Sequence, residues 1–170
     1  MLGAARRFIL AALAGALSAG MLPAPLLAQE TVAFPEGAEP GTIVVRTNER
    51  KLFYVVDRGR ALRYPVGVGR AGKQWFGTTS IVLKALRPAW SPPAEIRGDR
   101  EAWVIPSGSP KNPMGAAALM LADNELAIHG TNNPGSIGGF VSWGCVRMHN
   151  RDIMELFSRV SVGTQVVIAH

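Results

Sequence analysis

The sequence predicts a mainly β domain with one helix packed on it, and three observations carry that expectation. Runs of β-branched and aromatic residues recur between turn residues from Thr42 to Ile168. Prolines at 88, 92, 93, 106, 110 and 113 forbid a continuous helix across the middle of the chain. Only the segment from Asn150 to Val160 carries apolar residues at helical spacing.

The first 28 residues read as an export signal and are set apart from the fold. Arg6 and Arg7 form a positive start, Phe8 to Met21 is an apolar run short for a bilayer span, and Pro23 and Pro25 break it before Ala28. A retained membrane anchor is the alternative reading. The Arg6-Arg7-Phe8 start also has a weak twin-arginine character, so two export routes stay open. Cleavage after Ala28 leaves 142 of the 170 residues, enough for one domain with its own core and no stable membrane span. Two of the 18 basic residues and none of the 12 acidic ones leave with the signal, giving a net charge of +4. The remaining Lys and Arg residues are scattered, with no basic helix or aromatic-interleaved stripe, so nothing points to nucleic acid.

Residues 29–40, rich in Pro, Glu and Gly, read as a flexible lead-in, and the folded domain is expected over 41–170. Thr42–Val45, Leu52–Val56 and Ala61–Val68 read as a β-meander joined by Thr47-Asn48-Glu49 and Asp57-Arg58-Gly59. Gly67, Gly69, Gly72 and Gly77 punctuate a loop. No Lys-Ser/Thr pair follows them, so phosphate-loop chemistry is not implied. Thr78–Leu86 returns to strand composition. Residues 87–113 read as a long irregular insert of the kind that forms lids or binding loops, with Trp90 and Trp103 as packing anchors or substrate contacts. Leu119–Leu121 and Leu126–His129 read as a strand pair around Asp123-Asn124. Asn150 is then the expected N-cap of the helix, with Ile153, Met154, Leu156, Phe157 and Val160 as its apolar stripe. Gly163 ends the helix, and Thr164–Ile168 is the last strand.

Cys145 is the single cysteine, so it has no disulfide partner within the chain. The residues admit several readings of it. A lone cysteine is often a small buried hydrophobe. Cys145, His149 and His129 also invite a zinc reading, but they lack a clear fourth member, and no metal is expected. The third reading is a thiol nucleophile. A free thiol is only a few per cent ionised at neutral pH and needs an imidazole to take its proton. His129 ends an apolar strand, and the Gly-rich run 130–139 lets the chain swing back to bring Cys145 beside it. Gly144 leaves backbone N–H groups exposed for an oxyanion. His149 is closer in sequence but starts outside the helix that would be needed to fold it back onto Cys145.

Residues 42–170 resemble the L,D-transpeptidase catalytic domain family, of the YkuD-like type. The resemblance rests on Ile128-His129-Gly130-Thr131, on Ser142-x-Gly144-Cys145-Val146-Arg147-Met148 and on Asn150-x-Asp152. Asn112-Pro113-Met114-Gly115 and the stretch from Thr78-Thr79 to Trp90-x-Pro92-Pro93 support it upstream. The resemblance implies a β-sandwich or mixed-sheet domain with one helix after the catalytic loop. It implies Cys145 as nucleophile, His129 as proton acceptor and donor, the Gly130 carbonyl as orienter of the imidazole and the Gly144 backbone as part of the oxyanion site. Arg147, Ser142, Trp143 and Thr131 would meet substrate or shape its loop, with a structural ion pair as the alternative role of Arg147.

The implied activity is that of an exported, periplasmic or envelope enzyme that forms 3→3 cross-links between peptidoglycan stem peptides through a cysteine thioester, without a cofactor. The same acyl-enzyme could pass its acyl group to water, as a carboxypeptidase or endopeptidase, or to a lysine of an envelope protein. One residue departs from the family pattern. Trp143 stands where histidine is common, and an indole has only an N–H donor and cannot accept a proton. His129 is then left to do the acid–base work alone. A non-catalytic wall-binding module is the rival that this departure keeps in view.

Overall fold

The computed structural model describes residues 30–35, 37–122 and 126–170. The export signal expected over residues 1–28 and the Asp123-Asn124 turn lie outside the described residues. None of the described helices is long and apolar enough to cross a membrane.

Eleven strands and one main helix are described. The first strand, β1 (Glu30–Phe34), pairs antiparallel with β4 (Gly59–Pro65). This corrects the reading of residues 29–40 as a tether. Phe34 is buried at the strand's end and its ring centroid lies 5.1 Å from that of Phe53, so one aromatic anchor docks the segment. The expected meander follows as β2 (Ile43–Arg46), β3 (Lys51–Asp57) and β4, each antiparallel to the next. The last strand, β11 (Gln165–Ala169), slots in parallel to β2 and antiparallel to β6 (Gly77–Leu86).

β6 is the hinge of the architecture. Its first residues pair with β11, while Ile81 to Leu86 pair with β7 (Ala117–Leu121) across a register shift between Ile81 and Leu83. An extra residue at such a point bends a strand and lets it pass from one layer to another. Beyond β7 come β8 (Ala127–His129) and the short β10 (Val146–Arg147), giving the order β1-β4-β3-β2-β11-β6-β7-β8-β10. A separate parallel pair joins β5 (Val68–Gly69) to β9 (Phe140–Ser142).

The two halves of this mixed sheet share one core. Ile43, Val45, Leu52 and Tyr64 from the first half meet Leu119, Ile128 and Val146 from the second, and Ile153 and Leu156 of the helix α2 (Asn150–Arg159) complete the cluster. Met154, expected on the apolar stripe, is instead exposed. The Lys84 ammonium donates to the carbonyls of Phe157 and Val160 at the end of α2, where the helix dipole favours a cation. The proline-rich insert holds only one helical turn, α1 (Ala94–Arg97), with no buried residue. It is organised instead by Asn112, whose buried amide donates to the carbonyls of Pro88 and Pro106 and accepts from the Met114 N–H.

Candidate active site

The site follows from one strand register. β8 and β10 run parallel, with Ile128 level with Val146 and His129 level with Arg147. Side chains alternate across a strand, so Ile128, Val146 and Met148 enter the core while Ala127, His129, Cys145 and Arg147 fall on the opposite face. His129 and Cys145 thus stand on one face of adjacent strands, separated by a diagonal step that long side chains span. Both line a cavity of about 1000 Å³, together with Arg147, Trp143, the loop 73–75 and the proline-rich insert. Met114, Met120 and Leu126 give this cavity an apolar floor.

The imidazole of His129 is buried and held. Its Nδ1 lies 2.6 Å from the Gly130 carbonyl oxygen. A carbonyl can only accept, so Nδ1 carries the hydrogen and the Nε2 lone pair is left to take a proton. The Gly130 carbonyl therefore holds the ring, and the residue must be glycine for a second reason. A Cβ there would lie 2.3 Å from Asn150 Oδ1 and 2.9 Å from the Ala116 N.

Asn150 is where the sequence reading needs correction. His149, not Asn150, occupies the N-cap position of α2, and no side chain caps that terminus. The Asn150 side chain turns outward to clamp the His-Gly-Thr segment. Its Oδ1 accepts from the N–H groups of Ala116 and Thr131, each at 3.0 Å, and its Nδ2 donates to the Thr131 carbonyl at 3.0 Å. The asparagine amide carries its acceptor and its donor on separate atoms, so one side chain reaches both partners. The sequence signal was present in the Asn150-x-Asp152 match, but the capping rule drew attention to the wrong bond.

The cysteine loop is held just as closely. Ser142 Oγ donates to the Cys145 carbonyl at 2.5 Å and accepts from the Gly144 N–H at 3.1 Å. The Gly144 N–H is thus engaged in the resting site, which corrects its assignment as a free oxyanion donor. What Gly144 supplies is conformation. Its φ is +129°, a Cβ would lie 2.8 Å from Leu126 Cδ2, and its carbonyl accepts from Trp75 Nε1 at 3.2 Å. Ser142 likewise braces the loop, with both ends of its hydroxyl occupied. Thr131 is placed elsewhere: its Oγ1 accepts from the Asn133 N–H at 3.0 Å, and it lines a second, smaller hollow rather than the cysteine cavity. Trp75, which sequence reasoning did not single out, is the additional residue that anchors the catalytic loop.

Charge at the site is one-sided. Arg147 has no ion-pair partner among the described residues, and its buried Nε finds no acceptor, so the structural ion pair considered for it is not formed. Burial pushes the Cys145 thiol up, opposed by the Ala127 backbone N–H and by the Arg147 charge. Burial lowers His129 to about 4, against the Gly130 carbonyl, which acts to raise it, and Arg147 lowers it further. The resting pair is therefore a neutral thiol beside a neutral imidazole. The Trp143 ring, at the cavity wall, carries the Arg70 guanidinium 3.4 Å from its centroid and the Lys73 ammonium at 5.2 Å. His149 does not line the cavity and lies instead near the buried Asp152.

Comparison with known proteins agrees with this geometry. The chain is 55% identical over 151 residues to the putative L,D-transpeptidase YkuD of Bacillus subtilis, covering 86% of this chain and 79% of that protein. It is 35% identical over 147 residues to the probable L,D-transpeptidase YbiS of Escherichia coli, covering 81% of this chain but only 47% of that protein, so the chain spans about half the length of that relative. The fold also matches the catalytic domain of an Enterococcus faecium L,D-transpeptidase solved acylated by ertapenem. The TM-score is 0.60 at 19% identity, over 77% of this chain and 98% of that one. The family model for the YkuD L,D-transpeptidase catalytic domain matches residues 40–168, the stretch that builds both halves of the sheet and both sides of the cysteine cavity, and the chain belongs to that family.

Proposed function

We propose that the protein is an exported acyltransferase of the cell envelope that cross-links peptidoglycan stem peptides 3→3. The observation that carries this reading is the shared face of His129 and Cys145, with His129 Nδ1 tied to the Gly130 carbonyl and Nε2 left as the acceptor. As Cys145 Sγ attacks the carbonyl between stem residue three and the terminal D-alanine, His129 Nε2 takes the thiol proton. The C–N bond breaks, the proton passes to the departing amine and a thioester remains. An amine of a second stem then attacks the thioester, gives its proton to His129 and forms the new amide, and the thiol is restored. One amide is exchanged for another, so the reaction needs no external energy source and no cofactor.

Because the resting thiol and imidazole are both neutral, proton transfer accompanies attack instead of preceding it. The Arg147 charge favours the thiolate as it forms, and the Cys145 N–H takes the oxyanion role that the engaged Gly144 N–H does not fill. The apolar start of residues 8–21 supports export, and membership of the family supports a cell-wall substrate. Incubation with purified disaccharide-tetrapeptides, with products read by mass, tests the reading. A 3→3 dimer is expected. A tripeptide alone would make water the acceptor, and transfer only to a protein lysine would make the enzyme an anchoring one.

A further inference from the structure

We propose that Trp75 is a positioning residue for the acylation step. By holding the Gly144 carbonyl, its indole N–H fixes the plane of the Gly144–Cys145 peptide and so aims the Cys145 N–H at the developing oxyanion. The inference rests on the acyl-transfer reading above and assigns the residue on which its oxyanion site depends.

Three consecutive peptide units surround the nucleophile, and they are tied differently. The Trp143–Gly144 unit is held through its N–H, which donates to Ser142 Oγ at 3.1 Å, and the Cys145–Val146 unit through its carbonyl, which accepts from the same hydroxyl at 2.5 Å. Ser142 does not bond the unit between them. The carbonyl of that middle unit accepts from Trp75 Nε1 at 3.2 Å, and its N–H, that of Cys145, has no backbone acceptor among the described residues. A trans peptide is planar, with its C=O and N–H pointing in opposite directions, and no described peptide bond is cis. Holding the Gly144 oxygen on the Trp75 side therefore holds the Cys145 N–H on the other side, available to a substrate oxygen.

The middle unit is also the one most able to turn. Gly144 precedes it with a φ of +129°, a region that glycine enters at little cost, so rotation about the bonds flanking the unit would exchange the N–H for the carbonyl. A carbonyl turned toward the reacting centre repels an oxyanion. Trp75 opposes that turn, and its own loop is fixed on both flanks. Lys73 pairs with Glu95 at 2.9 Å, the Gln74 amide donates to the Gly69 carbonyl at 3.1 Å, and the Phe76 ring stacks on His170 with centroids 3.7 Å apart. The Trp75 indole packs half-buried against the main core, and its single N–H has one acceptor to serve.

Two reactions of the Cys145 thiol separate this role from simple bracing. Attack on the β-lactam carbonyl of ertapenem forms the S–C bond and moves the carbonyl electron pair onto oxygen. The C–N bond then breaks and its nitrogen takes the proton that His129 received. Alkylation by iodoacetamide forms an S–C bond as the C–I bond breaks, the thiol proton passes to His129, and no oxyanion arises. The full protein is compared with Trp75→Phe and with a variant carrying benzothienylalanine at position 75, in which sulfur replaces the indole N–H within the same ring outline. Both variants are expected to be acylated about tenfold to a hundredfold more slowly, short of the loss on deleting an oxyanion donor outright. Both should be alkylated within about twofold of the wild-type rate, with the same pH profile. The benzothienyl variant decides the matter if Trp75→Phe does not fold. Equal slowing of the two reactions would reduce Trp75 to a brace of the thiol and overturn the proposal, as would acylation at the wild-type rate. A protein that shows the split with ertapenem but yields no product from tetrapeptide stems would sink the stem-peptide reading and leave the role of Trp75 standing.

Discussion

Arg147 stands level with His129 across the parallel β8–β10 pair, and its charge lowers the proton affinity of both His129 and Cys145. One guanidinium thereby biases the two partners of a proton transfer in complementary ways. It discourages an imidazolium before substrate arrives and favours the thiolate once the proton has left. The behaviour of the site toward inhibitors, pH and mutation follows from this arrangement.

Cys145→Ala should fold and make no cross-link, since a partly buried thiol is exchanged for a methyl group and no thioester can form. A carbapenem-type β-lactam, which presents a strained acyl group, should add once to the wild-type protein by intact mass and not at all to the variant. An adduct persisting in Cys145→Ala would place the reactive group elsewhere.

His129→Gln should slow acylation at neutral pH by about a hundredfold or more, the usual contribution of a positioned general base. His149→Gln should leave most of the activity, because His149 lies outside the cavity, beside Asp152. Adduct formation followed over time separates the two. The reverse ranking would falsify the pairing of Cys145 with His129.

The acid limb of acylation should fall near pH 4, where burial holds His129, and not near the ordinary histidine value. Stability follows the same group. The unfolded chain takes up a proton on this histidine below about pH 6.5, whereas the folded one resists until about 4. The stabilisation from a neutral His129 is therefore complete above about pH 6.5 and is lost as pH falls toward 4, by up to about 3 kcal/mol. Asp152, whose carboxyl burial pushes up, works in the opposite direction. Denaturant unfolding of wild type and His129→Gln between pH 4 and 7 isolates the histidine: the difference should shift across this window, and a constant difference would contradict the burial argument.

Asn150→Ala should cost about 1–3 kcal/mol, because it leaves the Ala116 and Thr131 N–H groups and the Thr131 carbonyl without their partner. The acylation rate should fall as well, since the clamped segment carries His129. Gly130→Ala should be worse than Asn150→Ala for acylation, as its methyl group meets Asn150 Oδ1 and the Ala116 N at once and displaces the segment whose carbonyl holds the imidazole. Melting temperature and adduct rate, measured together, check both. A normal rate in Asn150→Ala would mean that the clamp serves the fold alone.

Local signals in the chain determined a good deal. β-branched runs between turn residues located the meander and the later strands, because strand composition is set by side chains that suit a half-buried pleated surface. The His-Gly-Thr and Ser-x-Gly-Cys-x-Arg segments singled out one thiol and one imidazole, because residue type largely decides which groups can lose or take a proton. Tertiary structure decided what depends on partners distant in sequence. Phe34 docks a supposed tether because Phe53 is there to receive it. Asn150 becomes a clamp rather than a cap because Ala116 and Thr131 present backbone groups to it, and the Gly144 N–H is withdrawn from the oxyanion site because Ser142 reaches it first. Capping, turn and motif rules see only neighbours along the chain. Hydrogen bonds and packing are settled by whichever group the fold brings within about 3 Å, and only the β8–β10 register could place Arg147, His129 and Cys145 on one face.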